Sequence, residues 1–486
     1  MSETPVPHLY DDREFGPREQ LAIWLLLGSA FTVILNETIM GVALPRLMDS
    51  LGITAAAGQW LTTAFLLTMS VVIPITGMLI QRFSTRSLFI VAMGLFSLGT
   101  LISAVAPGFE VLLVGRVVQA CGTAIMMPLL MTTVTTLVPV HKRGQLMGRI
   151  AIVISVAPAL GPTVSGLILQ WFDWRWLFIF VLPIALAALL VGVIRMPNVG
   201  VRRIVSIDAF SVLLSVAGFG GLVYGLSVLG EQANGVETIQ PWVPLVVGGV
   251  ALTVFVWRQL RLQRQDRALL DLRTFMSRPF ALSVILFAFA SLALFGCLIL
   301  LPIYVQNVLG FSTLDAGLVL LPGGLLMGLL GPLVGRMVDR RGARFMLVPG
   351  TILTALALWS MTLFTDTSSL WQVLATHLLL SIGLAGVFTP LFSVSLGSLP
   401  IPLASHGSAM ISTVQQVAGA AGTALFVTVM TIVSTQVAGF PGAVDPTALA
   451  AGTRVAFMIG GATATVGAVL AFFITEEIDE PLRSAA

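Results

Sequence analysis

Charge is what this sequence has least of. Lys, Arg, Asp and Glu make up 10% of the 486 residues, whereas 57% are hydrophobic and the mean hydropathy is +1.00. A water-soluble domain of this size is excluded, because it could not cover its surface with so few charges. There is a single lysine, Lys142, and it follows His141 rather than a glycine-rich loop. A Walker-type phosphate cradle is therefore absent, and an ATP-driven engine with it. The two cysteines, Cys121 and Cys297, both fall inside apolar runs, so neither a disulfide nor a metal site is expected. The formal charge of +3 and the pI near 9.3 do not indicate a nucleic-acid partner, because the basic residues flank apolar runs.

What the chain does have is a succession of runs of about 20 apolar residues, each long enough to cross a bilayer core as a helix. Fourteen spans are expected, at 21–45, 57–80, 87–106, 110–137, 146–169, 176–195, 207–230, 241–259, 280–307, 313–335, 345–364, 370–397, 408–436 and 453–475. The fold class is an all-α polytopic membrane protein embedded in a lipid bilayer. The first run is too long for a signal-peptide core and is expected to remain as helix 1. An even number of spans puts both termini on one side. Of 25 Lys and Arg, 18 fall in the loops of that side, and three (Arg46, Arg175, Arg454) in the opposite loops. Three more lie in the tails, and Arg116 lies inside a span. The positive-inside bias makes both termini cytoplasmic.

The loops also carry a repeat. Gly77, Gln81, Arg82, Ser84 and Arg86 match Gly335, Asp339, Arg340, Gly342 and Arg344 at a constant offset of 258 residues. The same offset sets span 1 against span 9, and Gly161-Pro162 against Gly419-Ala420. The expected organisation is a cytoplasmic tail (1–20), a six-helix bundle (21–195), a two-helix insert (196–259), a basic cytoplasmic linker (260–279), a second six-helix bundle (280–475) and a tail (476–486). Repeated halves around a central site are a common carrier plan, one half rocking against the other.

The loop elements Gly77-x-Leu79-x-Gln81-Arg82-x-Ser84-x-Arg86 and Gly335-x-x-x-Asp339-Arg340-Arg341-Gly342-x-Arg344 resemble the cytoplasmic signature loops of the major facilitator superfamily. Arg116-x-x-Gln119-x-x-Gly122 resembles its helix 4 motif, and Pro158-x-x-Gly161-Pro162-x-x-x-Gly166 the helix 5 motif of its drug exporters. Helix 1, with Leu35-Asn36-Glu37-Thr38-Ile39 leading to Val42-Ala43-Leu44-Pro45, is similar to the fourteen-helix drug/proton antiporters of the lincomycin-resistance type. Trp174-Arg175-Trp176-x-Phe178 and Pro183 fit that branch. The sequence departs from the pattern at Asn36, where Asp is frequent, at Gln81, where an acid is usual, and at Ser84, where Gly is usual; helix 13 has Gln415 and Gln416 but no acid.

Glu37 is the one carboxylate expected at membrane depth, since Asp208, Asp315 and Asp366 fall near span ends. A charge at the bilayer centre costs roughly 2.5–3.5 kcal/mol on insertion scales, so such residues usually carry protons, ions or substrate. Burial favours the neutral acid, which lets it take up a proton on one side and release it on the other. The competing role is a structural acid neutralised by a partner. Arg116, six residues into helix 4, either snorkels to the interface or, as the resemblance implies, tunes Glu37 through attraction or through a shared network with Gln119 and Asn36; direct contact of the two stays open. Pro158, Gly161, Pro162 and Gly166 can interrupt helical hydrogen bonding and admit a close neighbour, which suits a helix that bends between states. Gly324-x-x-x-Gly328 is expected only as close packing.

Gly77, Arg82 and Arg86, with Gly335, Asp339, Arg340, Gly342 and Arg344, are candidate cytoplasmic gate loops that pair with helix ends and stabilise one access state; alternatively the arginines only set topology. Asn36, Gln119, Tyr304, Gln306, Gln415 and Gln416 either line a central cavity or form interhelical hydrogen bonds. Such a cavity, with flexible methionines and one acid, suits small amphiphilic molecules, neutral or singly cationic.

The resemblance implies a bacterial cell-membrane antiporter that exports amphiphilic drugs or toxic small molecules in exchange for protons, working as a monomer. No cofactor, metal or enzymatic activity is expected. The proton gradient supplies about 1.4 kcal/mol per pH unit for each proton exchanged. The alternatives are a dedicated exporter or importer of one endogenous metabolite and, from another class, a receptor or scaffold that transports nothing and would not need Glu37.

Overall fold

A computed structural model describes residues 16–53, 55–138, 140–198, 208–233, 239–439 and 445–474. The expected tails, apart from residues 16–20, lie outside these, Arg13 and Arg483 included. Among the described residues there are 14 helices long and apolar enough to cross a membrane, and no strand. The first six are α1 (Pro17–Leu51), α2 (Ala55–Arg82), α3 (Thr85–Ala104), α4 (Phe109–Leu137), α5 (Val140–Trp171) and α6 (Arg175–Arg195). A hairpin of α7 (Ala209–Ala233) and α8 (Trp242–Leu262) follows. The second six are α9 (Arg278–Ile303), α10 (Thr313–Arg341), α11 (Arg344–Met361), α12 (Leu370–Gly397), α13 (Ala404–Ala438) and α14 (Pro446–Ala471). Successive helices alternate in direction, so residues 16 and 474 share one face of the bundle, the tail face.

Several helices outrun the apolar stretches that mark them, α1, α5 and α10 at their ends and α14 at its start, whereas α12 keeps its expected bounds and α11 stops at Met361. Ser84, Ser277 and Ser369 accept from backbone N–H groups in the first turns of α3, α9 and α12, and Ser312 with Asp315 forms a reciprocal box at the start of α10. Asp445 caps α14, which begins at Pro446, seven residues before the expected start of that span. Two expected loop arginines are thereby helical: Arg46 sits in α1, and Arg454 sits in α14 with its Nε donating to Thr362 O at 3.1 Å.

Within each half, helices meet through glycine. A Cβ on Gly99 would lie 2.4 Å from Gln119 N and one on Gly122 2.3 Å from Ala92 O, so α3 and α4 touch backbone to backbone. Gly350 and Gly383 do the same for α11 and α12. Between the halves there are two seams. Along one, α5 lies antiparallel to α10, and a Cβ on Gly148 would be 2.2 Å from Gly331 O, one on Gly324 2.2 Å from Ala159 Cβ. The Gly324-x-x-x-Gly328 pair is thus close packing, and it joins the two halves. Along the other, α2 meets α13, with α7 packed against both. Thr63 and Ser227 share a hydrogen bond of 2.9 Å there.

The base of the hairpin is held where Asp208 precedes the span of α7: Arg258, near the end of α8, donates from Nε and Nη2 to Asp208 at 2.7 and 2.8 Å. The Arg258 hydrogen bond and those from Ser211 hold the Asp208 carboxyl below its ordinary value of 3.8. A carboxyl depressed by folding contributes its full stabilisation above its unfolded value and loses it progressively as pH falls from there through the folded value. For this part-exposed pair we expect Asp208→Asn to cost about 1 kcal/mol in denaturant unfolding at pH 7. The difference from wild type should shrink as pH drops below about 4; an equal gap at pH 7 and pH 3 would contradict the assignment.

Candidate functional site

Glu37 lies midway along α1, partly exposed, and among the described residues no hydrogen bond or ion pair engages its carboxylate. Its turn is positioned by α5. Gly161 faces Thr38, and a Cβ there would come 2.1 Å from Thr38 Oγ1 and 3.1 Å from its carbonyl carbon. Only glycine lets α5 approach this closely, so the helix 5 motif seats the residue next to the acid. A Cβ on Gly166 meets nothing within 4 Å, and α5 runs as one helix through Pro158 and Pro162. We expect Gly161→Ala to displace the Glu37 turn and shift the pH profile of activity with little change in expression. An unchanged profile would mean that Thr38 rotates aside freely.

Arg116 is the charged neighbour that acts on Glu37, through space and without an ion pair closer than 4.0 Å. It does not snorkel. The side chain is 0% exposed, and its Cζ lies 4.0 Å from the Phe65 ring centroid. Nη1 donates to Gln119 Oε1 at 2.7 Å, and Gln119 Nε2 donates to Thr100 Oγ1 at 2.7 Å, which in turn donates to Phe96 O. The glycine contacts of α3 and α4 bring Thr100 within reach of Gln119. The chain of bonds ties Arg116 to Gln119 but does not include Asn36, whose buried Nδ2 has no partner. One unspent donor therefore lies next to the unpaired acid.

The other polar candidates are not gathered around one space. Gln119 and Tyr304 are each 0% exposed, so neither borders open volume in this conformation. Tyr304 begins a π-helical turn, Tyr304–Val308, at the end of α9; it donates to Thr365 O at 2.5 Å and stacks on Phe364, and Gln306 lies in the same turn. Gln415 and Gln416 sit on α13, where Gln416 Nε2 donates to Met69 Sδ of α2 at 3.3 Å, across the seam.

On the tail face the first signature loop reaches the opposite half. Gln81 Nε2 lies 2.8 Å from His406 Nε2 and donates to Ser405 Oγ at 3.0 Å and Pro402 O at 3.3 Å. A Cβ on Gly77 would be 3.1 Å from Ser405 O, and Thr132 Oγ1 bonds Ser408 Oγ at 2.6 Å. Arg86 donates to Val193 O in the last turn of α6, where a cation meets the negative end of the helix. Arg82 lies exposed beside Phe83. In the second loop Gly342 ends α10 at φ +83°, a conformation that favours glycine, Gly335 is buried, and Asp339, Arg340 and Arg344 are exposed. His377 on α12 went unnoticed in the sequence. The signal was available: the 258-residue offset that pairs the loops also sets His377 opposite Gln119 and Phe295 opposite Glu37. Gly419 packs on Phe295 as Gly161 packs on Thr38, so the helix crossing repeats and the acid does not.

Known proteins share this architecture. Residues 26–423 match the model of the Major Facilitator Superfamily. Lincomycin resistance protein LmrB of Listeria innocua serovar 6a is 41% identical over 466 residues, 95% of this chain and 98% of that protein. The LmrB of Bacillus subtilis strain 168 is 39% identical over 454 residues, covering 92% and 94%. Among solved structures, the human organic anion transporter MFSD10 superposes with a TM-score of 0.65 at 16% identity, covering 94% of this chain and 100% of that one. The proton:xylose symporter XylE superposes with 0.65 at 17% identity, covering 94% and 96%. With 14 spans, two six-helix halves and full-length relatives of this kind, the chain belongs to the major facilitator superfamily of multi-pass membrane transporters.

Proposed function

We propose that this transporter is a proton-coupled antiporter that exports small amphiphilic molecules across the bacterial cytoplasmic membrane, with Glu37 carrying the proton. The observation that carries the reading is the isolation of Glu37: an acid at mid-membrane, partly open, held by no bond and felt by one buried cation. A permanent ion pair would fix its charge; a through-space attraction leaves it free to gain and lose a proton as its surroundings alternate. The relatives named for lincomycin resistance support a drug-like substrate. The bias of arginines supports a cytoplasmic tail face. The Gln81 to His406 and Thr132 to Ser408 contacts are then those that must part for the site to face the cytoplasm. Exchange of one proton for one monocation is electroneutral, whereas a neutral substrate adds the membrane potential, about 2.3 kcal/mol per 100 mV.

The test uses inside-out vesicles holding an imposed proton gradient, monitored by a pH-sensitive dye while lipophilic cations and neutral antibiotics are added one at a time. Proton release on addition of several unrelated compounds is expected. Release with a single compound class would indicate a dedicated metabolite carrier, and none with any compound would overturn the antiporter.

A further inference from the structure

Beside the α5–α10 seam lies a small cavity, with Pro158 of the helix 5 motif in its wall. Its polar lining comes from both halves: Ser155 on α5, and His377 and Ser381 on α12, with Cys297 of α9 and Gly324 of α10 beside them. His377 is 5% exposed. Its Nε2 lies 3.3 Å from Leu320 O, and its Nδ1 is buried with no partner. A ring nitrogen facing a carbonyl oxygen must carry the hydrogen, so Nε2–H donates and Nδ1 of the neutral ring presents a lone pair. No carboxylate lines the cavity to compensate an imidazolium.

The hydroxyls point the same way. Ser155 Oγ donates to Ala151 O at 2.7 Å and Ser381 Oγ to His377 O at 2.9 Å, so both hydrogens are committed and both oxygens retain only acceptor capacity. Gly323 seats the ring, since a Cβ there would be 2.4 Å from His377 Nε2. The rim is a set of acceptors with no strong donor, and a buried unmet acceptor is costly.

We propose that His377, with Ser155 and Ser381, is a subsite for one hydrogen-bond donor of the transported molecule, a protonated amine or a hydroxyl; this deepens the exporter reading and rests on it. An occupant bridges the first half at Ser155 and the second at His377, so binding holds this seam together and release loosens it. The role differs from that of Glu37, which exchanges a proton, and it places a recognition residue at the repeat counterpart of Gln119.

The test compares two probes of equal charge and nearly equal shape, naphthylmethyl-dimethylammonium, which has one N–H, and naphthylmethyl-trimethylammonium, which has none. Binding to the purified full-length protein in nanodiscs is measured by calorimetry, apart from any transport assay. Wild type should bind the tertiary ion at least tenfold more tightly. His377→Leu and His377→Gln should abolish that preference and leave the quaternary ion unaffected. His377→Asn, which returns an acceptor near the Nδ1 position, should restore part of it. Equal binding of the two ions by wild type, binding of neither, or a His377→Gln loss shared by both overturns the subsite. Preserved discrimination in a protein that transports nothing would instead overturn the exporter and keep the subsite.

Discussion

Glu37→Gln is expected to abolish uphill export driven by an imposed proton gradient while leaving substrate-for-substrate exchange intact. Glutamine keeps the shape and neutrality of the protonated acid but cannot bind or release a proton, so the empty carrier returns without one and the gradient no longer drives the cycle. If one proton exchanges for one monocation, two pH units correspond to about 2.8 kcal/mol and a roughly 100-fold accumulation by wild type. The variant should equilibrate its substrate and stop. Proteoliposomes loaded with ethidium, with and without the gradient, distinguish the outcomes. Accumulation preserved in the variant would remove Glu37 from the coupling step. Loss of exchange as well would point to a structural acid.

Gly148→Ala is the second substitution for which a large effect is expected. The added Cβ would fall 2.2 Å from Gly331 O, a backbone atom of α10 that cannot rotate away, so the α5–α10 seam must open to admit it. Overpacking of this kind typically costs 1–3 kcal/mol. The seam must also re-form in each cycle, so we expect transport to fall about tenfold and the unfolding temperature to drop. Gly166→Ala on the same helix is the control, because a Cβ there meets nothing within 4 Å. Two variants alike in flux and stability would show that the seam has slack absent from this conformation.

The contrast between Gly148 and Gly166 shows where reading the sequence succeeds and where it stops. Hydropathy makes the 14 helices legible, because a bilayer imposes one length and one polarity on each span, and the 258-residue offset exposes the repeat. Helix ends are less legible: Asp445 starts α14 seven residues ahead of its expected span by capping, which hydropathy does not register, whereas Ser312 caps α10 where its span is expected to begin. Gly161 and Gly166 look equivalent in a motif, yet only Gly161 has a neighbour, Thr38, supplied by a helix more than 100 residues away. The burial of Arg116 depends on Phe65 and Leu61 of α2 and could not be inferred from its depth in α4. His377 was overlooked because a lone histidine in an apolar run has no local signature; its significance comes from Leu320 and Ser155 on other helices.

The central claim, that proton and substrate alternate through Glu37, is tested most directly by proton counting on the purified protein. Substrate is added in weakly buffered solution at neutral pH and proton release is followed by electrode, for wild type and Glu37→Gln. The account predicts substrate-dependent proton release by wild type, at most one proton per substrate bound, and none by the variant. Substrate binding by wild type with no proton released, or equal release from both proteins, would contradict it.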